Sequence, residues 1–113
     1  MIVKEIILTH EDRITYLYKR GPNREIIEVT NVSYEILINE EWTTIIRYDS
    51  SHGELHRHKK VSLEDDRDTP TTIGVKKKGS HGNWLTWAIA DIKSRFEDYK
   101  RGFLKRSKVI DKS

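Results

Sequence analysis

The sequence predicts an α+β domain: an antiparallel meander sheet of about five or six strands with one long C-terminal helix packed on one face. Three observations predict it. Short runs of β-branched and aromatic residues follow one another from residue 2 to residue 61, each bounded by a turn signal. Beyond them, apolar residues recur at three- and four-residue intervals from Leu85 to Leu104, the spacing of one buried helix face. At 113 residues the chain suits a single core and is too short for two, so residues 1–113 read as one domain with a basic tail from about residue 105.

Residues 2–8 and 13–18 are β-rich segments separated by Thr9-His10-Glu11-Asp12, and they form a first hairpin. Gly21-Pro22-Asn23 is a turn: proline presets its own φ, while glycine and asparagine tolerate conformations that other residues avoid. Within residues 25–38, the alternation Val32, Tyr34, Ile36, Ile38 marks a strand, with a bulge near Asn31. A helix there would have to carry many β-branched residues. Asn39-Glu40-Glu41 turns the chain into a central hairpin. Residues 62–72, with Glu64-Asp65-Asp66-Arg67-Asp68 and Pro70, read as a polar loop whose spacing matches no calcium-binding pattern. Residues 71–77 form a short edge strand whose Lys76, Lys77 and Lys78 discourage pairing with another sheet. Asn83 is the expected N-cap of the helix. Leu85, Ala88, Ile89, Ile92, Phe96, Tyr99 and Phe103 form its buried stripe, and Trp84 and Trp87 pin its start.

The central hairpin holds residues that packing alone does not explain. Three of the five histidines, His52, His56 and His58, fall within seven residues, between Arg47-Tyr48-Asp49 and Lys59-Lys60. Alternation of Trp42, Thr44, Ile46 and Tyr48 on one side leaves Arg47 and Asp49 on the other. A two- or four-residue loop at Ser51-His52-Gly53-Glu54 sets Arg47 opposite His56 or His58, and Arg47, Asp49, His56 and His58 become one cluster. A three- or five-residue loop turns the strand over and groups the histidines with Trp42 and Tyr48. The first register is preferred because it places Tyr48 with Leu55 and Trp42 with Val61.

Residues two apart on one strand face are separated by about 6.6–6.8 Å, so two imidazoles can flank a phosphodiester. Metal-free RNA cleavage requires a base for the 2′-hydroxyl proton, an acid for the departing oxygen, and a cation near the charged intermediate. Imidazole can serve as acid or base, and the arginine fork suits a phosphate. Asp49 can hold one imidazole in the needed tautomer. No cofactor is required. The same residues also suggest a two-histidine, one-carboxylate set for Fe²⁺ or Zn²⁺, formed by His56, His58 and Asp49 with His52.

Charge is unevenly placed. From residue 93 onward there are eight Lys/Arg against three Asp/Glu, whereas residues 1–92 carry thirteen against fifteen. Such a basic end suits a polyanion. The candidate nucleic-acid contacts are Arg57, Lys59, Lys60, Arg101, Lys105 and Arg106. With no cysteine, disulfide and thiolate chemistry are excluded, which agrees with a cytoplasmic location. Residues 2–8 carry Lys4 and Glu5 and read as neither a signal peptide nor a membrane span. The chain is 35% charged and lacks glutamine, a composition that resembles heat-adapted proteins.

At Arg47-Tyr48-Asp49, His52 and His56-Arg57-His58-Lys59, the sequence resembles the small TumE-type toxins of prokaryotic toxin–antitoxin pairs. Trp84-Leu85-Thr86-Trp87-Ala88-Ile89 falls where that family begins its C-terminal helix. The resemblance covers roughly residues 42–105 and departs from the family at Ser51-His52-Gly53, where a Pro-His or His-His doublet is expected. It implies a ribonuclease neutralised by a partner antitoxin, with Arg47, Asp49, His52, His56 and His58 as the site. The competing expectation is a non-catalytic nucleic-acid-binding or assembly module, such as a homodimer joined through an exposed sheet edge.

Overall fold

The turn signals at residues 9–12, 21–23 and 39–41 mark reversals of the chain. Asn39 and Glu40 adopt positive φ of 51° and 67°, the left-handed pair that closes a tight two-residue hairpin. The computed structural model of the protein describes residues 2–50, 54–65, 67–75 and 80–107. These form β1 (Ile2–Thr9), β2 (Asp12–Arg20), β3 (Ile26–Ile38), β4 (Glu41–Asp49), β5 (Glu54–Lys60), β6 (Asp68–Val75) and α1 (Ser80–Arg106). The strands make one antiparallel sheet in sequence order, and α1 packs on one face, chiefly across β3 and then β4. This is the expected α+β meander. No helix among the described residues is long and apolar enough to cross a membrane.

Two bulges set which side chains face the helix. Opposite β2, Leu17 pairs with Asn31 and Tyr18 with Val29, so the extra residue is Thr30, beside the expected Asn31. Opposite β3, Tyr34 pairs with Ile46 and Glu35 with Thr44, which leaves Ile45 as the extra residue. That second bulge corrects the expected alternation of β4. It lets Ile45 and Ile46, consecutive and both apolar, be buried together, and it turns Trp42 to the face away from α1. There the Arg13 guanidinium lies 4.2 Å from the Trp42 ring, and the β4–β5 pairing ends at Ile46 opposite Lys59, so Trp42 and Val61 are not the paired residues that the sequence led us to expect.

The core lies between sheet and helix. Ile14, Val32, Tyr34, Ile36, Tyr48 and Leu55 meet Leu85, Ala88, Ile92 and Phe103, and each large side chain contributes roughly 1.5–3 kcal/mol. Two buried phenols orient the helix. The Tyr34 hydroxyl donates to Asp12 Oδ1 at 2.5 Å, and Lys100 Nζ lies 3.4 Å from that oxygen. The Tyr48 hydroxyl donates to Asp91 Oδ2, which also accepts from Tyr99 at 2.6 Å.

Two boundaries differ from expectation. β6 begins at Asp68 rather than residue 71, because an edge strand tolerates Pro70 opposite His58, and Val61 N–H donates to Arg67 O at 3.0 Å across a short loop. α1 begins at Ser80, and Asn83 is inside it rather than capping it. A His81–Trp84 edge contact at 5.3 Å and the Thr86 hydroxyl donating to Gly82 O at 3.1 Å hold that first turn despite the propensity cost of Gly82. Trp84 packs against the core, whereas Trp87 meets Tyr48 edge-on at 5.8 Å and stays 43% exposed. Lys76, Lys77 and Lys78 lie outside the described residues.

Candidate active site

The β4–β5 register decides the site. Arg47 pairs with His58 and Asp49 with His56, so these four side chains rise from one patch on the sheet face away from α1. Tyr48 and Leu55 point the other way, into the core. The end of β4 is held by Ser50: its N–H donates to Val29 O at 3.0 Å, and its Oγ accepts from Val29 N–H at 3.0 Å. These bonds continue the β3–β4 pairing past the Thr30 bulge, so Asp49 sits at a fixed height.

Asp49 is the hub. Its Oδ2 lies 3.2 Å from Arg47 Nη1 and 3.3 Å from His58 Nε2. His56 Nε2 lies 3.0 Å from Glu54 Oε2, and the two imidazoles are near-parallel with centroids 6.4 Å apart. The Asp49 carboxylate is only 12% exposed, whereas His58 and His56 keep 22% and 26% of their side chains accessible. A shielded carboxylate under accessible cationic or proton-carrying groups can orient them without itself meeting a ligand.

A cleft of about 290 Å³ opens beside this cluster, with Arg47, His58 and Lys60 on one wall and Asn31, Ser33 and Thr44 on another. Asn31 Nδ2 donates to Ser33 Oγ at 2.8 Å, while its Oδ1 has no hydrogen-bond partner among the described residues. Sequence reasoning did not assign Asn31 or Ser33 to the site. The available signal was the alternation Val32, Tyr34, Ile36: it leaves Asn31 and Ser33 on the outer face, and Ser33 lies directly across from Arg47.

His52, the fifth expected site residue, lies outside the described residues. The expected nucleic-acid contacts divide between the two faces. Lys60 lines the outer cleft, but Arg57 and Lys59 point to the helix side, where Arg57 Nη1 donates to the Tyr99 hydroxyl at 3.2 Å. Burial, and then the guanidinium groups of Arg106 and Arg57, lower the Lys59 pKa. Arg101 pairs with Asp98 at 2.9 Å, Arg106 Nε donates to Val61 O at 2.7 Å, and Lys105 is exposed in the last turn of α1. Among the described residues, no group of three or more His, Asp or Glu side chains converges to hold a metal ion.

Residues 4–109 match the family described as "Domain of unknown function (DUF7718)". The chain belongs to the DUF7718 family. No curated protein and no solved structure matches it. The DUF7718 match takes in the central hairpin and all of α1, and it carries no statement of activity and no link to the TumE-type toxins. Any reading of what this DUF7718 member does therefore rests on the side chains of the hairpin.

Proposed function

We propose that this protein is a small endoribonuclease of toxin type, independent of metal and neutralised by a partner antitoxin. The observation that carries the proposal is the convergence of Arg47, Asp49 and His58 within 3.3 Å contacts, with the His56 ring 6.4 Å from that of His58, on an accessible sheet face. Those groups are an acid, a base, a cation and an orienting carboxylate, the set that the reaction requires.

In this mechanism His58 donates from Nε2 to Asp49 and uses Nδ1 to take the proton of the RNA 2′-hydroxyl. The resulting 2′-oxygen bonds to phosphorus as the bond to the 5′-oxygen breaks. Protonated His56, beside Glu54, gives its proton to that leaving oxygen. Arg47 stabilises the charge on the non-bridging phosphate oxygens. The products are a 2′,3′-cyclic phosphate and a 5′-hydroxyl. The antitoxin is inferred from the TumE resemblance of the hairpin and helix.

The test is cleavage of single-stranded RNA by the wild type and by His58→Ala. The variant should cut at least about a hundredfold more slowly. Its unfolding free energy should stay within about 1 kcal/mol of the wild type. Chelator should have no effect, and the variant should not arrest growth. An unchanged cleavage rate in His58→Ala would discard the mechanism.

A second reading is favoured by one observation. β1 is an edge strand on which Val3 and Ile7 are 66% and 61% exposed, the profile of a strand that pairs with another chain. An assembly module would then form a homodimer through β1. Size-exclusion chromatography together with the cleavage assay distinguishes the two readings: a dimer that leaves RNA intact supports the assembly module, and cleavage that depends on His58 supports the ribonuclease.

A further inference from the structure

Strand β5 presents its basic and imidazole side chains alternately to the two faces of the sheet. His56, His58 and Lys60 face outward; Arg57 and Lys59 face the helix. At the end of the strand the two faces communicate. Lys60 lines both the outer cleft of about 290 Å³ and a smaller cleft of about 200 Å³. Lys59 and Arg106 line that smaller cleft and also a third, of about 270 Å³, between β5 and α1. Three depressions are therefore joined through shared cationic walls. Their floor is fixed: the segment after β5 is bonded to the end of α1 by Arg106 Nε to Val61 O and by Leu63 N–H to Ser107 Oγ at 2.8 Å.

Cations outnumber carboxylates in the walls of the two clefts that Lys59 and Arg106 share. In the helix-side cleft, Arg95 is paired with Asp91 at 3.3 Å and Asp98 with Arg101. Among the described residues Lys59 has no carboxylate partner; its ammonium lies 5.9 Å from the Tyr99 ring, and Arg57 lies at the same distance. Gly102 leaves room for the Arg106 guanidinium, because a Cβ there would stand 3.1 Å from Nη1. Lys59 and Arg106, cationic neighbours on the wall that two of these clefts share, favour a bound anion, and depressions in series favour a chain of anions over a single one.

We propose that single-stranded RNA entering the Arg47–His58 cleft continues around the C-terminal end of β5, past Lys60, Lys59 and Arg106, into the helix-side cleft beside Tyr99. The proposal rests on the reading of the outer cleft as the RNA-cleaving site and names how its substrate is held. Contacts are to phosphates, so binding is tolerant of sequence and sensitive to salt.

The experiment measures binding of fluorescent 2′-O-methyl RNA, which lacks the attacking hydroxyl and so reports binding without turnover. The probes are a dinucleotide and a strand of about eight nucleotides. The double variant Lys59→Glu/Arg106→Glu should bind the longer strand at least about tenfold more weakly, and its salt slope should fall by about 1.4 from the loss of two single-strand phosphate contacts. Dinucleotide binding should be unchanged, and Lys93→Glu, on an exposed position of α1, should bind both as the wild type does. Because Arg106 also bonds the chain, Lys59→Ala alone provides a second arm and should lower the slope by about 0.7.

Wild-type binding of the long strand by these variants, equal losses for both lengths, or an equal loss in Lys93→Glu would overturn the path. So would polyglutamate of equal charge displacing the RNA as well as RNA itself does, since the surface would then fit an acidic protein. If binding depends on Lys59 and Arg106 but natural RNA is not cut, the path stands and the cleavage reading falls. If cutting depends on His58 while the Lys59 variants bind normally, the reverse holds.

Discussion

On the helix side of the sheet, Tyr34 and Tyr48 are fully buried and donate to Asp12 and Asp91; on the opposite side, Arg47 and His58 remain 38% and 22% exposed around Asp49. Both faces place a carboxylate at the centre of a polar cluster. On the inner face the partners are phenols, whose hydroxyls are kept protonated by burial and by the carboxylates they bond. On the outer face they are an imidazole and a guanidinium, which keep contact with water. The same motif thus orients the helix where it is dry and can exchange protons or bind anions where it is wet. Removing its carboxylate should therefore have different consequences on the two sides.

The largest difference is expected from Asp91→Ala compared with Asp49→Ala. Without Asp91 the Tyr48 hydroxyl is left buried without its acceptor, and the bonds from Tyr99 and Arg95 are lost too. The expected loss is about 3 kcal/mol. Without Asp49, Arg47 and His58 turn to water, and the loss should be about 1 kcal/mol. Urea unfolding of the two variants measures this, and equal losses would mean that the outer cluster also holds the fold together.

Alkali sharpens the contrast. In the folded protein Tyr34 and Tyr48 are pushed far above the ordinary 10.0, by burial first and then by their aspartate partners, and Tyr99 is raised less. A raised phenol contributes stability that is fully present below 10.0 and is lost as pH rises above it, because the unfolded chain ionises first. Each fully buried phenol should add a slope of about 1.4 kcal/mol per pH unit above that value. Tyr48→Phe should remove one of these contributions, as read from urea unfolding between about pH 9 and about pH 11. An unaltered slope would show that Tyr48 ionises as readily folded as unfolded.

How much of this was legible in the sequence depended on how local the cause was. The antiparallel meander of about five or six strands and the helix stripe follow from periodicity, and the grouping of Arg47 with His58 follows from strand parity. The bulge at Ile45 did not announce itself: the alternation Trp42, Thr44, Ile46, Tyr48 looks unbroken, and only the gain from burying Ile45 and Ile46 together shifts it. Asn31 and Ser33 were missed because their place beside Arg47 depends on pairing across two strands. The division of β5 was implicit in its alternation, yet grouping Arg57, Lys59 and Lys60 as one basic run concealed that they serve opposite faces.

The smallest expected effect concerns Gly102, where helix stability and the open helix-side cleft make opposite demands. Glycine in a helix interior costs about 1 kcal/mol relative to alanine. Here the missing side chain leaves space for Arg106, whose Nη1 would stand 3.1 Å from a Cβ, closer than it can sit without shifting. Gly102→Ala should therefore stabilise the protein by up to about 1 kcal/mol while weakening binding of the longer 2′-O-methyl RNA by about twofold. Thermal unfolding and fluorescence titration of one sample report both. A gain in stability without loss of affinity would mean that the position of the Arg106 guanidinium is immaterial, and that Gly102 is merely a weak point in the helix.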